Sequence, residues 1–267
     1  MLLNIQHETI YKYSHPVDYT IQHLRLTPRL ESQQRALNWK ITAPGRYQRH
    51  MDAYGNIGHI LVLDSPHDEI RIFVSGQVSV DEQNAHRPSD GDEVPILAYL
   101  QETRLTEADE AVRDLARRHL EPYGARIDTL FKLIGTIQDK VEYLPGSSDV
   151  QSTAIQTLAR GSGVCQDHAH LFIACCRVMN LPARYVSGYI HAGGSQNAAS
   201  HAWADVWVEN MGWISFDITN NRFTGPEHCR LAIGRDYLDA CPVRGVRRGG
   251  GDEAMAVNVL VSHGAQQ

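Results

Sequence analysis

The sequence has no long apolar run, no excess of positive charge and few cysteines. No run approaches the roughly 18 apolar residues that a membrane-spanning helix needs, so we expect no membrane partner. The first residues have neither the basic start nor the apolar core of a signal peptide. With 25 basic and 31 acidic side chains, the net charge of −6 argues against nucleic acid as a partner. Five cysteines, an odd number, do not make a disulfide framework, and they indicate free thiols in the cytoplasm.

The composition is otherwise that of a folded protein. Of 267 residues, 42% are hydrophobic, which is enough for one large domain or two modest ones. Residues 1–82 predict an N-terminal antiparallel β-sandwich-like domain, because apolar–polar alternation is interrupted only by turn-forming residues. The clearest alternation places its apolar side chains on even positions: Ile70, Ile72, Val74, Val78 and Val80.

Composition and periodicity divide the chain into four segments: a β-rich domain 1–82, a polar linker 83–94, a core 95–240 and a C-terminal tail 241–267. The core begins with helical periodicity, as in the apolar face over 127–141, and ends in strands. In the tail, 245–251 indicate a mobile turn, and the alternation of Val257, Val259 and Val261 predicts a final strand. The expected fold class is α+β, with helices packed on an antiparallel sheet after the β domain.

Cys165 is the candidate nucleophile. Residues 161–163 turn the chain into a helix that ends before Pro182, so Cys165 lies in the first helical turn. Backbone N–H groups in that turn have no intrahelical partner, and the helix dipole favours negative charge there. A thiol at such a position is stabilised as the nucleophilic thiolate.

A β-hairpin downstream carries the candidate base and the acid that orients it. His201 begins a strand of sharp alternation, and Asp217 ends the strand that runs back. The register decides whether the two residues share a face. If Trp207 faces Trp213, the Cβ atoms of Asp217 and His201 are diagonal neighbours about 7–8 Å apart, within reach of an Asp–imidazole contact. If Val208 faces Trp213, Asp217 lies on the wrong face.

These residues lie in motifs that resemble bacterial transglutaminase-like proteins. The resemblance covers nearly the whole chain and rests on four ordered runs, 161–167, 181–189, 201–203 and 212–220, with 52–56 resembling the family's N-terminal domain. It implies a papain-like α+β core in which Cys165 is the nucleophile, His201 the base and Asp217 the orienting acid. Two positions depart from the family's pattern: Ile218 replaces a usual Pro, and Asp205 replaces Glu. Neither position belongs to the triad.

The expected chemistry is acyl transfer through a thioester on Cys165. The acyl donor is a peptide or protein amide, and the thioester then reacts with water, as in a peptidase or amidase, or with an amine acceptor, as in a transglutaminase. The backbone N–H of Cys165 is one candidate oxyanion donor, and Tyr143 and Gln166 are candidates for the second. Trp203 is a candidate wall of the substrate cleft. No cofactor is expected.

Two alternatives stay open beside this hypothesis. Cys165, His168 and His170 suggest a zinc site, but at about 100° per residue they do not converge on one face of a helix, so we expect no metal. The same fold can also serve as a non-catalytic binding or assembly module. The complete Cys–His–Asp set favours the enzyme. The sequence does not determine the oligomeric state.

Overall fold

The structure is a computed structural model, and it describes residues 1–88, 93–191, 193 and 200–264. Residues 89–92 of the predicted linker lie outside the described part. Buried and exposed side chains alternate along the N-terminal strands, as the sequence pattern indicates. These strands form one antiparallel sheet: β1 (Leu2–Leu24), β2 (Gln34–Thr42), β3 (Arg46–Met51), β4 (Ile57–Leu63) and β5 (His67–Val80).

Strand β1 is long enough to belong to both halves of this sheet. Its first half pairs with β5 and its second half with β4, and the register shifts between Lys12 and Val17. An irregularity of this kind bends a strand and increases its twist. The sheet therefore curls, and side chains from both halves meet in one core, where Tyr11 and Val17 pack with Leu61.

The helices follow in the order α1 (Glu110–Arg117), α2 (Ile127–Lys140), α3 (Ala154–Arg160) and α4 (Cys165–Val178). Two short strands, β6 (Glu142–Tyr143) and β7 (Ser162–Gly163), pair in parallel just before α4. Helix α4 is buried along nearly its whole length, because other helices and a second sheet surround it. Among the residues that the structure describes, no helix is long and apolar enough to cross a membrane.

The second sheet is antiparallel and has the strand order β11-β10-β9-β8-β12. Its strands are β8 (Ala183–Ile190), β9 (Ser200–Val208), β10 (Gly212–Asp217), β11 (Arg222–Phe223) and β12 (His228–Gly234). Ala202, Ala204 and Ile214 pack with the helices on one face. Near β8 and β12, Tyr189 joins Leu3 in a core that the two sheets share. The α+β fold class is confirmed.

A buried ion network also joins the two sheets. Arg230 donates to Asp205 at 2.6 Å and to Glu31 at 3.2 Å. Arg184 donates to the same Asp205 at 2.8 Å, and Arg29 to the same Glu31 at 2.8 Å. Burial opposes the charge of Asp205, but Arg230 and Arg184 outweigh it and lower its pKa to about 2. Asp205 is thus a buried structural anion that lies away from solvent.

The tail returns to the N-terminal sheet. After α5 (Tyr237–Ala240), strands β13 (Val243–Gly249) and β14 (Glu253–His263) both pair with β1. The final strand is present, but the predicted mobile turn over 245–251 is wrong, since 245–249 continue β13. Glycine content favoured a turn there, whereas pairing with β1 decides the structure. The turn is confined to 250–252, where Gly250 and Gly251 have positive φ. Residues 265–267 lie outside the described part.

Candidate active site

Residues on both sides of Cys165 build its position. Gly161 ends α3 with a φ of 73°, a left-handed conformation that favours glycine. At Gly163, a Cβ would lie 2.7 Å from the Asp167 Cβ, so only glycine leaves room for this carboxylate. Asp167 uses that room to accept the Val164 N–H at 2.7 Å. This acidic group stabilises the start of α4, and Cys165 is the first residue of that helix.

His168, one turn into α4, ties the helix to the end of β10. Its Nε2 donates to the Val141 carbonyl at 3.0 Å, and its Nδ1 lies 3.1 Å from Thr219 Oγ1. Burial lowers the pKa of His168, so the neutral ring donates on one side and accepts on the other. Cys165 is three residues before His168, and Asp217 is two residues before Thr219. The contact between His168 and Thr219 therefore fixes the two candidate catalytic residues relative to each other.

His201 lies between Cys165 and Asp217. Its Nε2 is 3.0 Å from Asp217 Oδ1, and the Cys165 thiol is in hydrogen-bonding contact with the ring. Because Nε2 faces the carboxylate, Nδ1 is the nitrogen left for the thiol. The Nε2–H direction does not meet hydrogen-bond geometry, a common feature of catalytic contacts before substrate binds. The structure thus brings together the three residues of the predicted triad.

The hairpin has the register that the triad requires. Trp207 pairs with Trp213, with no bulge between β9 and β10. The tight connection is possible because Asn210 and Gly212 adopt left-handed conformations, with φ of 63° and 78°. Continuing the same register places Asp217 diagonal to the base on the shared face. The prediction that Trp207 and not Val208 faces Trp213 is confirmed.

The charges in the site favour an ionised His–Asp pair. Burial opposes a charge on the His201 ring, but contacts with Asp217 and Cys165 outweigh it and raise the pKa of His201 to about 10. Burial alone raises the pKa of Asp217, yet the close contact with His201 and the hydrogen bond from His228 hold it well below its ordinary value. At neutral pH the ring therefore carries a proton beside a carboxylate anion, and this form can pair with a thiolate.

His228 is a further member of the site, and the sequence interpretation missed it. Its Nε2 donates to Asp217 Oδ2 at 2.9 Å, and the Gly225 N–H donates to its Nδ1 at 3.0 Å. This arrangement fixes the tautomer that carries its proton on Nε2. Asn220 Nδ2 adds a second donor to Oδ2 at 2.7 Å, and Oδ1, which faces His201, also accepts the Asn220 backbone N–H at 3.2 Å. No motif or spacing indicates His228, because it begins β12, which is not adjacent to β10 in the sheet.

The three weaker candidates occupy different places. Tyr143 is half exposed, and burial together with the Cys165 charge raises the pKa of its hydroxyl, which remains a donor. Gln166 is buried in the first turn of α4, directly after Cys165. Trp203, predicted as a cleft wall, is fully buried, and its ring centroid lies 5.3 Å from that of His228. Trp203 therefore lies behind the site, where Arg230 of the ion network and Tyr54 of the N-terminal domain pack against it.

The two histidines of the suggested zinc motif have other partners. His168 makes the contacts described above, and Nε2 of His170 accepts the Tyr237 N–H at 3.1 Å. A different trio, His201, Asp217 and His228, brings one possible ligand atom each to within 4.8 Å of the others. In this trio each oxygen of Asp217 already faces one imidazole, which is the arrangement of an imidazole–carboxylate–imidazole chain.

Comparisons with known families agree with this geometry. Residues 113–218 match the transglutaminase-like superfamily, and residues 3–79 match the bacterial transglutaminase-like N-terminal region. An uncharacterized protein from Mycobacterium leprae is 30% identical over 279 residues, which cover 97% of this chain and 98% of that protein. One from Mycobacterium tuberculosis is 29% identical over 270 residues, which cover 91% of this chain and 86% of that protein.

Two further similarities concern a named enzyme and a solved structure. A protein-glutamine gamma-glutamyltransferase from Pseudomonas aeruginosa is 31% identical over 102 residues, which cover 32% of this chain and 15% of that protein. The crystal structure of a candidate cysteine protease from Cytophaga hutchinsonii has a TM-score of 0.77 at 21% identity, covering 100% of this chain and 92% of that one. The structural similarity shows that the two chains share a fold.

Proposed function

The chain belongs to the transglutaminase-like superfamily, a family of cysteine-dependent enzymes, and on this premise we propose that it transfers acyl groups from peptide or isopeptide amides through a thioester on Cys165. One observation carries the proposal: the His201 ring lies between the Cys165 thiol and the Asp217 carboxylate. A thiol, an imidazole and an orienting carboxylate are the groups that covalent acyl transfer uses.

In the first half of the reaction, the Cys165 thiolate attacks the carbonyl carbon of the amide, and the C=O electron pair moves onto oxygen. The tetrahedral intermediate collapses when His201 donates its proton to the amide nitrogen and the C–N bond breaks. The products are a free amine and a thioester. Asp217 supports this step because its negative charge keeps the proton on the His201 ring until the leaving amine takes it.

The oxyanion of the tetrahedral intermediate needs donors. The backbone N–H of Cys165 is available, since the first N–H groups of a helix have no intrahelical acceptor. Tyr143 is our candidate for the second donor, because its hydroxyl is protonated, half exposed and close enough to Cys165 to respond to its charge. Gln166 remains the alternative, although its side chain is buried.

In the second half, water or an amine attacks the thioester carbonyl. The now neutral His201 accepts a proton from the attacking group, and the C–S bond breaks to restore the thiolate. Water gives hydrolysis, and an amine gives a new amide. The similarity to a protein-glutamine gamma-glutamyltransferase supports glutamine side-chain amides as candidate acyl donors and amines as candidate acceptors.

The test is intact-protein mass spectrometry after incubation with glutamine-containing peptide libraries, with and without a small primary amine. We expect a thioester adduct on Cys165, absent from Cys165→Ala, and product analysis then separates the hydrolysed from the amine-linked product. A folded protein whose Cys165 is alkylated by iodoacetamide, yet which forms no adduct and no product with any peptide, would contradict the proposal and favour a binding module.

We also propose a cytoplasmic location, because all five cysteines are free. Cell fractionation of the source organism, with marker enzymes for each compartment, tests this. Recovery of the chain outside the cytoplasmic fraction would overturn the proposal.

A further inference from the structure

Strand β14 is an unpaired edge of the N-terminal sheet. It pairs with β1 over eleven residues, from Leu3 opposite His263 to Tyr13 opposite Glu253. Over this same stretch of β1, β5 lies on the other side. Within the described part of the chain, no strand pairs with the outer side of β14. At the C-terminal end of this edge, His191 Nδ1 donates to the Val261 carbonyl at 3.0 Å, and the His191 ring lies 4.3 Å from that of His263. The rest of the edge presents main-chain N–H and C=O groups that another strand can meet.

The edge lacks the features that keep exposed strands apart. Between Glu253 and His263 there is no Lys, Arg or Pro, and the strand pairs along its full length without a bulge. Three of its apolar side chains are exposed instead, Met255 by 59%, Val257 by 48% and Leu260 by 43%, while Val259 is buried in the core that the two sheets share. A long and largely apolar edge of this kind, with Glu253 as its one acidic residue, is a site of association.

We propose that β14 pairs with the β14 strand of a second copy of this chain, antiparallel about a two-fold axis that passes through Asn258. In an antiparallel pair, directly opposite residues have their side chains on the same face of the sheet. A two-fold axis normal to the sheet therefore places one residue of the strand opposite its own copy, and the other residues pair symmetrically about it. Only an axis at Asn258 lets all eleven residues of the strand find a partner.

The strand is self-complementary about this axis. Glu253 of one copy lies opposite His263 of the second copy, which joins opposite charges when the histidine is protonated. Within its own copy Glu253 also contacts Arg247 at 3.3 Å. Met255 then faces Val261 of the second copy, and Val257 faces Val259 of the second copy. The apolar side chains on this face of the two strands form one continuous stripe, and the two N-terminal sheets become a single larger sheet.

The axis allows a sharp test, because Asn258 would face its own copy. Sedimentation velocity and light scattering of the full-length protein should give twice the 29.9 kDa mass of one chain. Asn258→Lys and Asn258→Asp each place two like charges opposite one another, so both variants should be monomers. Asn258 is exposed, and circular dichroism should show that both monomers are folded.

A disulfide scan then tests the register in a Cys165→Ser background. Asn258→Cys should form an intermolecular disulfide on mild oxidation, because directly opposite Cβ atoms are about 4.5–5.5 Å apart. Ser262→Cys is the matched control on the same exposed strand; it would face Ala254 of the second copy and should not cross-link. A monomeric wild-type protein would overturn the proposal. A dimer that tolerates Asn258→Lys and gives no disulfide at 258 would also overturn it, by placing the interface elsewhere.

Discussion

Replacing Asp217 with asparagine tests whether this carboxylate keeps the candidate base charged. The change preserves the size of the side chain and removes the negative charge that faces Nε2 of His201 at 3.0 Å. The side chains of Asn220 and His228 donate to the other oxygen and can still meet the asparagine carbonyl, and only the Asn220 backbone N–H loses its acceptor. The variant should therefore fold, and its effect should be concentrated on the protonation of His201.

The size of the effect follows from the pKa of His201. Its rise from 6.5 to about 10 corresponds to about 5 kcal/mol, at about 1.4 kcal/mol per tenfold change in proton affinity. Asp217 and Cys165 share this stabilisation, and burial opposes it. Removing roughly half, about 2–3 kcal/mol, lowers the pKa of His201 by about two, towards neutrality. The wild-type imidazolium persists up to a pH of about 10, whereas the variant loses its proton about two pH units lower.

The assay is the rate of iodoacetamide alkylation of Cys165, followed by intact mass across pH. Since an imidazolium stabilises the neighbouring thiolate, the rate should fall by about tenfold in Asp217→Asn in the pH interval between the lowered pKa of His201 and its wild-type pKa of about 10. The difference should vanish above pH 10, where neither ring is charged. Asp114→Asn, an exposed surface change, is the matched control and should behave as wild type. An unchanged pH profile in a folded Asp217→Asn protein would refute the assigned role of this carboxylate.

Two further substitutions test the supports of the site. Arg230→Met leaves the buried carboxylates of Asp205 and Glu31 each with one arginine partner fewer. The free energy of unfolding should fall by about 3 kcal/mol and Tm by about 6–10 °C. A calorimetric Tm within error of wild type would contradict the role of the ion network. His228→Phe removes one hydrogen-bond donor to Asp217, so kcat should fall with KM unchanged, and the pH profile of kcat should shift. His228→Gln retains a donor and should recover part of the lost activity. Equal effects of the two substitutions would show that His228 only fills space.

The hairpin could be predicted from the sequence because its information is local. Alternation along β9 and β10 determines which side chains share a face of the sheet. A contact between His201 and Asp217 requires both to lie on the same face, and this requirement selects the register. Asn210 and Gly212 tolerate the left-handed conformations that the connection needs. The position of Cys165 followed for the same reason, since glycine and proline bound its helix. In each case the controlling contacts lie within a few tens of residues.

The environment of these residues could not be predicted, because it depends on pairing between distant segments. Nothing near His228 indicates that the turn at Gly225 carries its ring to Asp217. Alternation places Asp205 and Trp203 on the face of His201, but it does not reveal that an entire domain covers that face. The tail was misjudged for the same reason: glycines at 245–251 favour a turn in isolation, and only β1 makes them part of a strand.

The contacts between domains indicate why the β domain accompanies the candidate catalytic core. Asn56 acts on β12 as an extra strand would: its Nδ2 donates to the Ile233 carbonyl at 2.8 Å, and its Oδ1 accepts the Ile233 N–H at 2.9 Å. The ion network holds the same strand through Arg230 and holds β9 through Asp205. These two strands carry His228 and His201. Because a buried arginine between two carboxylates is strongly destabilised when one partner is lost, separating the domains would release both strands. The β domain therefore holds the two strands that carry the imidazoles.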